Sequence, residues 1–337
     1  MKRNMKLGFM AALLGGLMFF SSCGDDNEEI IPTNPDATYD AMLRLTQDGT
    51  GDTTSATVNV NANTQNTIKA RVTFITNDID MKRLYITQNV AGQGDEPFEI
   101  TAAVDKKADG SIDIAGANAN GIVYALDLPV PSGIGSGTVV YQLWTTTGRG
   151  DYRDQNKRLA LGVGTITLNY GGTNSAATVK SYSAKMLAAP LADGTSKTFI
   201  SLLNGDIYTI KQGAEYAAFW DFGYYYGAQG LASLASTQSY PSSIIDVNTL
   251  SGLTDDDLNK AYFDISTTTS AEFDAITTAG QLDFIVKPTD QVINNLSIGD
   301  IIEFVDAYGK KGLIKVTDLA PGNGSGDFIE ISIKVQP

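Results

Sequence analysis

Strict alternation of apolar and polar residues is the feature that most limits how this chain can fold. Ile68, Ala70, Val72 and Phe74 are interleaved with Lys69, Arg71 and Thr73. The same period of two runs through Ile122, Tyr124, Leu126 and Leu128. It returns in Ile166, Leu168 and Tyr170, set against Thr165, Thr167 and Asn169. Successive side chains of a strand point to opposite faces, so this spacing predicts half-buried strands. Further strands are expected near residues 42–46, 57–61, 82–88, 98–104 and 138–147. Turn formers separate them: Asn77-Asp78, Gly92-Gln93-Gly94, Asp109-Gly110 and Pro131-Ser132-Gly133.

Seven or eight short strands in about 130 residues, with no convincing helical period, predict an antiparallel β-sandwich over residues 37–170, of immunoglobulin or fibronectin type. A fold of this kind carries no function by itself. Gly171-Gly172-Thr173-Asn174-Ser175 then interrupts the pattern, which predicts a linker over residues 171–177. Residues 178–337 read as a second, β-rich domain with one or two short helices. Thr269-Ser270-Ala271-Glu272 is a capping-box pattern ahead of Phe273 and Ile276, and Gly280 closes that segment. Residues 253–260 are a second helix candidate, with Asp255, Asp256 and Asp257 suited to a helix amino terminus. Strands are expected over 301–305, 313–316 and 328–335.

The first thirty residues set the expected address. Lys2, Arg3 and Lys6 precede an apolar run from Leu7 to Phe20, and Ser21-Ser22-Cys23 follows. A basic start, a short apolar middle and small residues before a cut are the parts of an export signal, here residues 1–22. The run is 14 residues long, whereas a spanning helix needs about 20. Small residues before a cysteine resemble a bacterial lipoprotein signal, with Phe20 where many such sites carry Leu. The resemblance implies that Cys23, the only cysteine, becomes the amino terminus and carries a diacylglyceryl group and a further acyl chain such as palmitate. Several acyl chains suffice for stable anchoring. The alternative is an ordinary secretory signal with a coincidental cysteine. Gly24-Asp25-Asp26-Asn27-Glu28-Glu29 is similar to the export tag of surface-displayed lipoproteins in the Bacteroidota. Read from composition alone, residues 23–36 are an acidic, disordered tether extended by Pro32 and Pro35. The expected location is therefore the outer membrane, lipid-anchored and surface-exposed.

The same resemblance extends to the second half. Asn204-Gly205-Asp206-Ile207-Tyr208, the stretch from Asp221 to Gly227 and the stretch from Gly309 to Val316 are similar to blocks in uncharacterised Bacteroidota surface lipoproteins. That likeness brings no known activity.

Charge and absent residue types narrow the chemistry. The chain carries a net charge of −14, and removal of Lys2, Arg3 and Lys6 makes it three units more negative. A protein of that charge has no basic track for a phosphate backbone, so nucleic acid is excluded as a partner. There is no histidine, and the one cysteine is assigned to lipid. Ser-His-Asp and Cys-His catalysis are excluded, as are zinc sites built on those side chains. No cofactor is expected. Calcium is the one ion that so acidic a chain would suit. Asp105, Asp109, Gly110 and Asp113 have some of the spacing of a calcium loop, but Lys107 occupies a ligand position and Gly116 stands where the bidentate Glu belongs. A hairpin turn at Asp109-Gly110 accounts for these residues better.

Four further groups are candidate sites. Between Tyr216 and Tyr240 eight aromatic residues cluster, and exposed aromatic faces beside carboxylates can hold sugar rings. Alternation puts Trp220, Phe222, Tyr224 and Tyr226 on one face, most simply the core, and Asp221, Gly223 and Tyr225 on the other. Asp221 and Tyr225 are therefore the better candidates for a glycan platform, with Trp144 as a third, and core packing is the competing explanation for all of them. Arg149-Gly150-Asp151 matches the tripeptide that integrins recognise, and as a plain sequence it is a solvated turn. A carboxylate-dependent glycoside hydrolase needs two acids about 5–10 Å apart across a cleft, a distance that sequence does not supply; Asp221 with Glu303 or Asp306 is one pair that could be tried. Asp52-Thr53-Thr54 resembles the Bacteroidota O-glycosylation sequon. Together these readings predict a non-catalytic, lipid-anchored binding protein whose partner is a glycan, a nutrient or an outer-membrane transporter. The alternatives are an adhesion or structural protein without a small ligand, and the hydrolase.

Overall fold

The computed structural model describes residues 42–47, 55–61, 65–76, 80–98, 106–114, 120–154, 164–227 and 229–337. The expected signal segment, Cys23, the tether, Asp105 and the Asp52-Thr53-Thr54 sequon lie outside them.

The protein is mainly β, as its alternation predicts. The first half is a sandwich of two sheets. One sheet has the order β1 (Met42–Gln47), β3 (Thr67–Ile75), β7 (Gly121–Pro129). The other runs β2 (Ser55–Asn59), β9 (Gly164–Gly171), β8 (Gly137–Thr146), β4 (Arg83–Val90), β5 (Asp95–Pro97), with β6 (Ile112–Asp113) also on β4. Strand β2 pairs with β9 in parallel, and the other described pairs are antiparallel. In β3 the residues named from sequence, Ile68, Ala70, Val72 and Phe74, are all buried, while Lys69 and Arg71 are exposed. They meet Leu126 and Leu128 of β7, Leu84 and Ile86 of β4, Val139, Tyr141 and Leu143 of β8, and Ile166 and Leu168 of β9. Around Asp109-Gly110 the chain makes the expected turn, with Gly110 at φ +82° and its N–H on the Lys107 carbonyl.

The second half holds two five-stranded sheets. The order in one is β10 (Lys180–Ala188), β19 (Phe328–Val335), β18 (Lys311–Ala320), β17 (Ile301–Asp306), β15 (Ala261–Ile265). In the other it is β12 (Ile207–Tyr208), β11 (Phe199–Ile200), β13 (Phe222–Tyr226), β14 (Ala232–Ser236), β16 (Val292–Leu296). Phe222, Tyr224, Leu234, Phe263, Phe304, Ile314, Ile331 and Ile333 fill the space between them. Each sheet is also covered on its outer side. On β13 and β14 lie 3-10 turns at Ile210–Gln212 and Ala214–Phe219 and the short helix α1 (Val247–Ser251), which enclose Phe199, Trp220, Tyr225, Tyr240 and Val247. On β17 and β18 lies α2 (Ser270–Ala275), burying Phe273 and Ile276 against Ile301, Val305 and Leu313. The α2 capping box forms as its sequence predicts, with the Thr269 N–H donating to Glu272 Oε2 at 2.7 Å and the Glu272 N–H to Thr269 Oγ1 at 3.3 Å.

One expectation is corrected. Residues 253–260 do not form an α-helix; the three aspartates make one 3-10 turn, Asp255–Asp257, capped by Thr254. Aspartate competes with the helix backbone for hydrogen bonds, which suits a turn better than a helix interior. The strand expected near 98–104 falls, from residue 99 on, outside the described residues; the described strand ahead of it is the short β5, which ends at Pro97.

Candidate functional site

The outward face of β4 and the end of β8 are the places where the sandwich departs from half-burial. Arg83, Tyr85 and Thr87 should face solvent, yet each is buried, as are Trp144 and Thr146. The covering comes from the loop after β8 and from the second half. Trp144 stacks on Tyr85 with ring centroids 5.6 Å apart and planes 9° from parallel, and Tyr152 and Leu203 close over the pair. Trp144 is fully buried, so it is a packing residue and not a platform for a sugar.

Next in the chain to Tyr152 stands Arg153, with a side chain 8% exposed. Its Nε donates to both oxygens of Asp151, at 3.0 and 2.9 Å, and one terminal nitrogen to Asp151 Oδ2 at 2.5 Å. That nitrogen also reaches the Ala218 carbonyl at 2.9 Å and Asp221 Oδ1 at 3.0 Å. The other terminal nitrogen lies 3.9 Å from Asp306 Oδ2. The Tyr308 ring sits under the guanidinium, 4.6 Å from Cζ. Asp151 and Arg153 come from the loop after β8, whereas Asp221 immediately precedes β13 and Asp306 ends β17. One guanidinium thus binds three carboxylates contributed by three places in the fold, two of them across the boundary between the halves.

The rest of the cluster is built from backbone. Asp221 Oδ2 accepts the Leu202 N–H at 2.6 Å. Asp306 Oδ1 accepts the N–H groups of Tyr308 and Lys310 at 2.9 and 2.8 Å. The Tyr308 hydroxyl donates to Asn259 Oδ1 at 3.2 Å. Burial pushes the Asp221 carboxyl up to about 6, against the opposing pull of Arg153 and the Leu202 N–H. Burial likewise raises Asp306 and holds Tyr308 well above the ordinary phenol range.

A second ionic path crosses the same boundary. Arg83 lies 3.5 Å from Asp113 and 3.1 Å from Glu215, and Arg149 lies 3.9 Å from Glu215. Lys180 pairs with Glu96. Residues 173–178 are held by hydrogen bonds as well: Thr138 N–H to Asn174 Oδ1 at 2.9 Å, and Thr178 N–H to Gln93 Oε1 at 2.9 Å.

The residues singled out from sequence are redistributed by this geometry. Asp221 is 2% exposed and Tyr225 6%, so neither presents a surface to a glycan. The expected alternation holds for Phe222 and Tyr224, which face the inter-sheet core, but Trp220, expected on that face, packs with Tyr225 and Tyr240 in the layer that covers the opposite face. Tyr225 donates to Asn294 Oδ1 at 2.7 Å and packs edge-on against Tyr240. The Arg149-Gly150-Asp151 loop is not an integrin-type display. Asp151 is buried and chelated by Arg153, and the Gly150 N–H donates to the Tyr85 hydroxyl at 3.0 Å. Asp221 and Asp306 are brought to one guanidinium, but both are buried, so neither lines a cleft where a glycosidic bond could enter. Glu303 faces elsewhere, opposite Asp264 in the β15–β17 ladder. Asp109 is also committed internally: Oδ2 accepts from the Tyr85 hydroxyl at 2.8 Å and Oδ1 from Ser111 Oγ at 2.6 Å. No group of three or more metal-ligating side chains is found among the described residues.

Nothing in the local sequence around Arg153, Glu215, Tyr308 or Asn259 marks them as members of this cluster or its surroundings. The only signal for Arg153 was a charged loop, a pattern that a solvated turn shares.

Fold and site together define a mainly β chain in which two sheet pairs meet across a buried ion cluster. No family model matches the chain, and no curated protein matches it. Among solved structures, it is similar to a DUF4466 family protein from Parabacteroides merdae, at 13% identity and a TM-score of 0.34, covering 88% of this chain and 98% of that one. A bacterial adhesin from Mobiluncus mulieris containing intramolecular disulfide, isopeptide and ester cross-links aligns at 12% identity and a TM-score of 0.18, covering 87% and 92%. Likenesses this distant carry no functional argument.

Proposed function

We propose that the chain is a lipid-anchored surface or outer-membrane protein of adhesive or structural role, in which the two halves act as one stiff β-body. The observation that carries this reading is the Arg153 cluster. It holds the halves together by desolvated charge, and the residues that the sequence offers to a small ligand (Trp144, Asp221 and Tyr225) are spent on packing and on that junction. Anchoring rests on the leader and Cys23. Mass spectrometry of the native protein tests it: the expected amino terminus is an acylated Cys23, and Cys23→Ser moves the protein from the detergent phase to the aqueous phase. An intact leader or a free thiol at Cys23 removes the reading. Protease shaving of intact cells tests display at the surface, with cleavage as the expected result.

Glycan or nutrient capture is retained as a second reading on one observation. A shallow open depression is lined by Thr267, Thr268, Glu272, Gln281 and Phe284, and Phe284 is 56% exposed. An exposed ring beside hydroxyl, amide and carboxylate groups is the chemistry a sugar face would use. Retardation in polysaccharide affinity gels that is lost in Phe284→Ala supports it; no retardation of the wild-type protein removes it.

A further inference from the structure

The buried cluster has more negative than positive partners. Asp151, Asp221 and Asp306 share one guanidinium, and burial raises the cost of each uncompensated charge. Arg153 gives Asp151 three short hydrogen bonds, Asp221 one, and Asp306 only a longer approach. Asp306 has two backbone N–H donors in compensation, whereas Asp221 has one. Asp221 and Asp306 thus have two donors each, fewer than Asp151, and Asp221 has the least exposed side chain of the three, at 2% against 3% and 6%.

We infer that the junction is a proton-binding site centred on Asp221, and that the bound proton tightens the joint between the two halves. A proton there leaves Arg153 with two carboxylates and removes the repulsion that Asp151 and Asp306 exert on the third. The groups that act electrostatically here are Asp151, Arg153 and Asp154 from the loop after β8, Asp306 and Tyr308 from the end of β17, and Tyr182 of β10. Arg153 is the cation among them. This inference stands on the cluster alone and is independent of where the protein is anchored.

The sign follows from linkage. Asp221 moves from its ordinary 3.8 to about 6 on folding, so the folded state holds a proton that the unfolded state has released between those values. The stabilisation is complete below about pH 4 and is lost as pH rises through about 6. A displacement of that size corresponds to roughly a 100-fold change in the folding equilibrium. Most folded carboxylates have the opposite dependence, so the contribution is read as a difference between wild type and Asp221→Asn.

The experiment uses the full folded chain with 13C-labelled aspartate. Asp221, assigned by its absence in Asp221→Asn, is expected to titrate near 6 by its carboxyl shift. In parallel, urea unfolding from pH 4.5 to pH 7.5 is expected to show wild type losing stability relative to Asp221→Asn as pH rises, by roughly 25-fold in the equilibrium constant over that range. If Asp221→Asn fails to fold, Asp221→Glu removes the same labelled signal and supplies the assignment, and the wild-type titration decides. Titration of all three cluster aspartates below 4.5 overturns the inference. So does a stability difference between wild type and Asp221→Asn that is constant across the range.

Discussion

Replacing Arg153 by methionine, which keeps the length of the stem and removes the charge, is the sharpest perturbation of this fold. The guanidinium is the shared partner of Asp151, Asp221 and Asp306, all buried. Removing one member of a buried ion pair costs about 3–5 kcal/mol, because the other is left desolvated and unpaired. The loss of the Tyr308 contact adds about 1 kcal/mol. All three stranded carboxylates have backbone N–H donors, and protonation of one of them limits the damage, so a net loss of about 4 kcal/mol is expected at pH 7. Against a total stability of about 5–15 kcal/mol this is a large fraction. Equilibrium urea unfolding reads it directly: at a slope of about 2–3 kcal/mol per molar, the midpoint falls by roughly 1.5–2 M. The deficit should shrink at pH 4.5, where the abandoned carboxylates neutralise more readily. A midpoint for Arg153→Met within about 0.5 kcal/mol of wild type at pH 7, the scatter of ordinary surface substitutions, would refute the reasoning.

Two further substitutions probe the same account. Gly223 lies in β13 where an added Cβ would come 2.8 Å from the Phe199 ring and 3.1 Å from the Tyr240 ring, so Gly223→Ala should cost about 1–3 kcal/mol by thermal unfolding; an unchanged melting temperature would mean that the layer over β13 is looser than described. Asp151→Glu pushes an extra methylene into a fully occupied pairing with Arg153 and should cost about 1–3 kcal/mol in urea while leaving attachment of integrin-bearing cells unchanged; lost attachment by a normally folded variant would reinstate the displayed loop.

Much of the fold was legible in the sequence because period-two burial is a local property. Strand β3 shows it residue by residue, and the capping box at Thr269 and Glu272 fixes α2 from four residues alone. What alternation cannot report is what lies on the second face. In β13 the spacing correctly separated Phe222 and Tyr224 from Asp221 and Tyr225, but solvent and a second layer give the same pattern, and here the layer is α1 with its neighbouring 3-10 turns. The same limit applies to Trp144 and Tyr85, whose covering residue Leu203 is far away in sequence. Arg153 was illegible for a related reason. A loop reading Arg-Gly-Asp-Tyr-Arg-Asp has the composition of a solvated turn, and only the arrival of Asp221 and Asp306 from distant strands makes it a buried junction.

Differential scanning calorimetry of the purified chain tests the central claim, that the two halves form one body through this junction. Wild type at pH 7 should unfold in a single transition whose calorimetric and van't Hoff enthalpies agree, and Arg153→Met should split it into two. Two separate transitions in the wild-type protein, unaltered by the substitution, would contradict the claim.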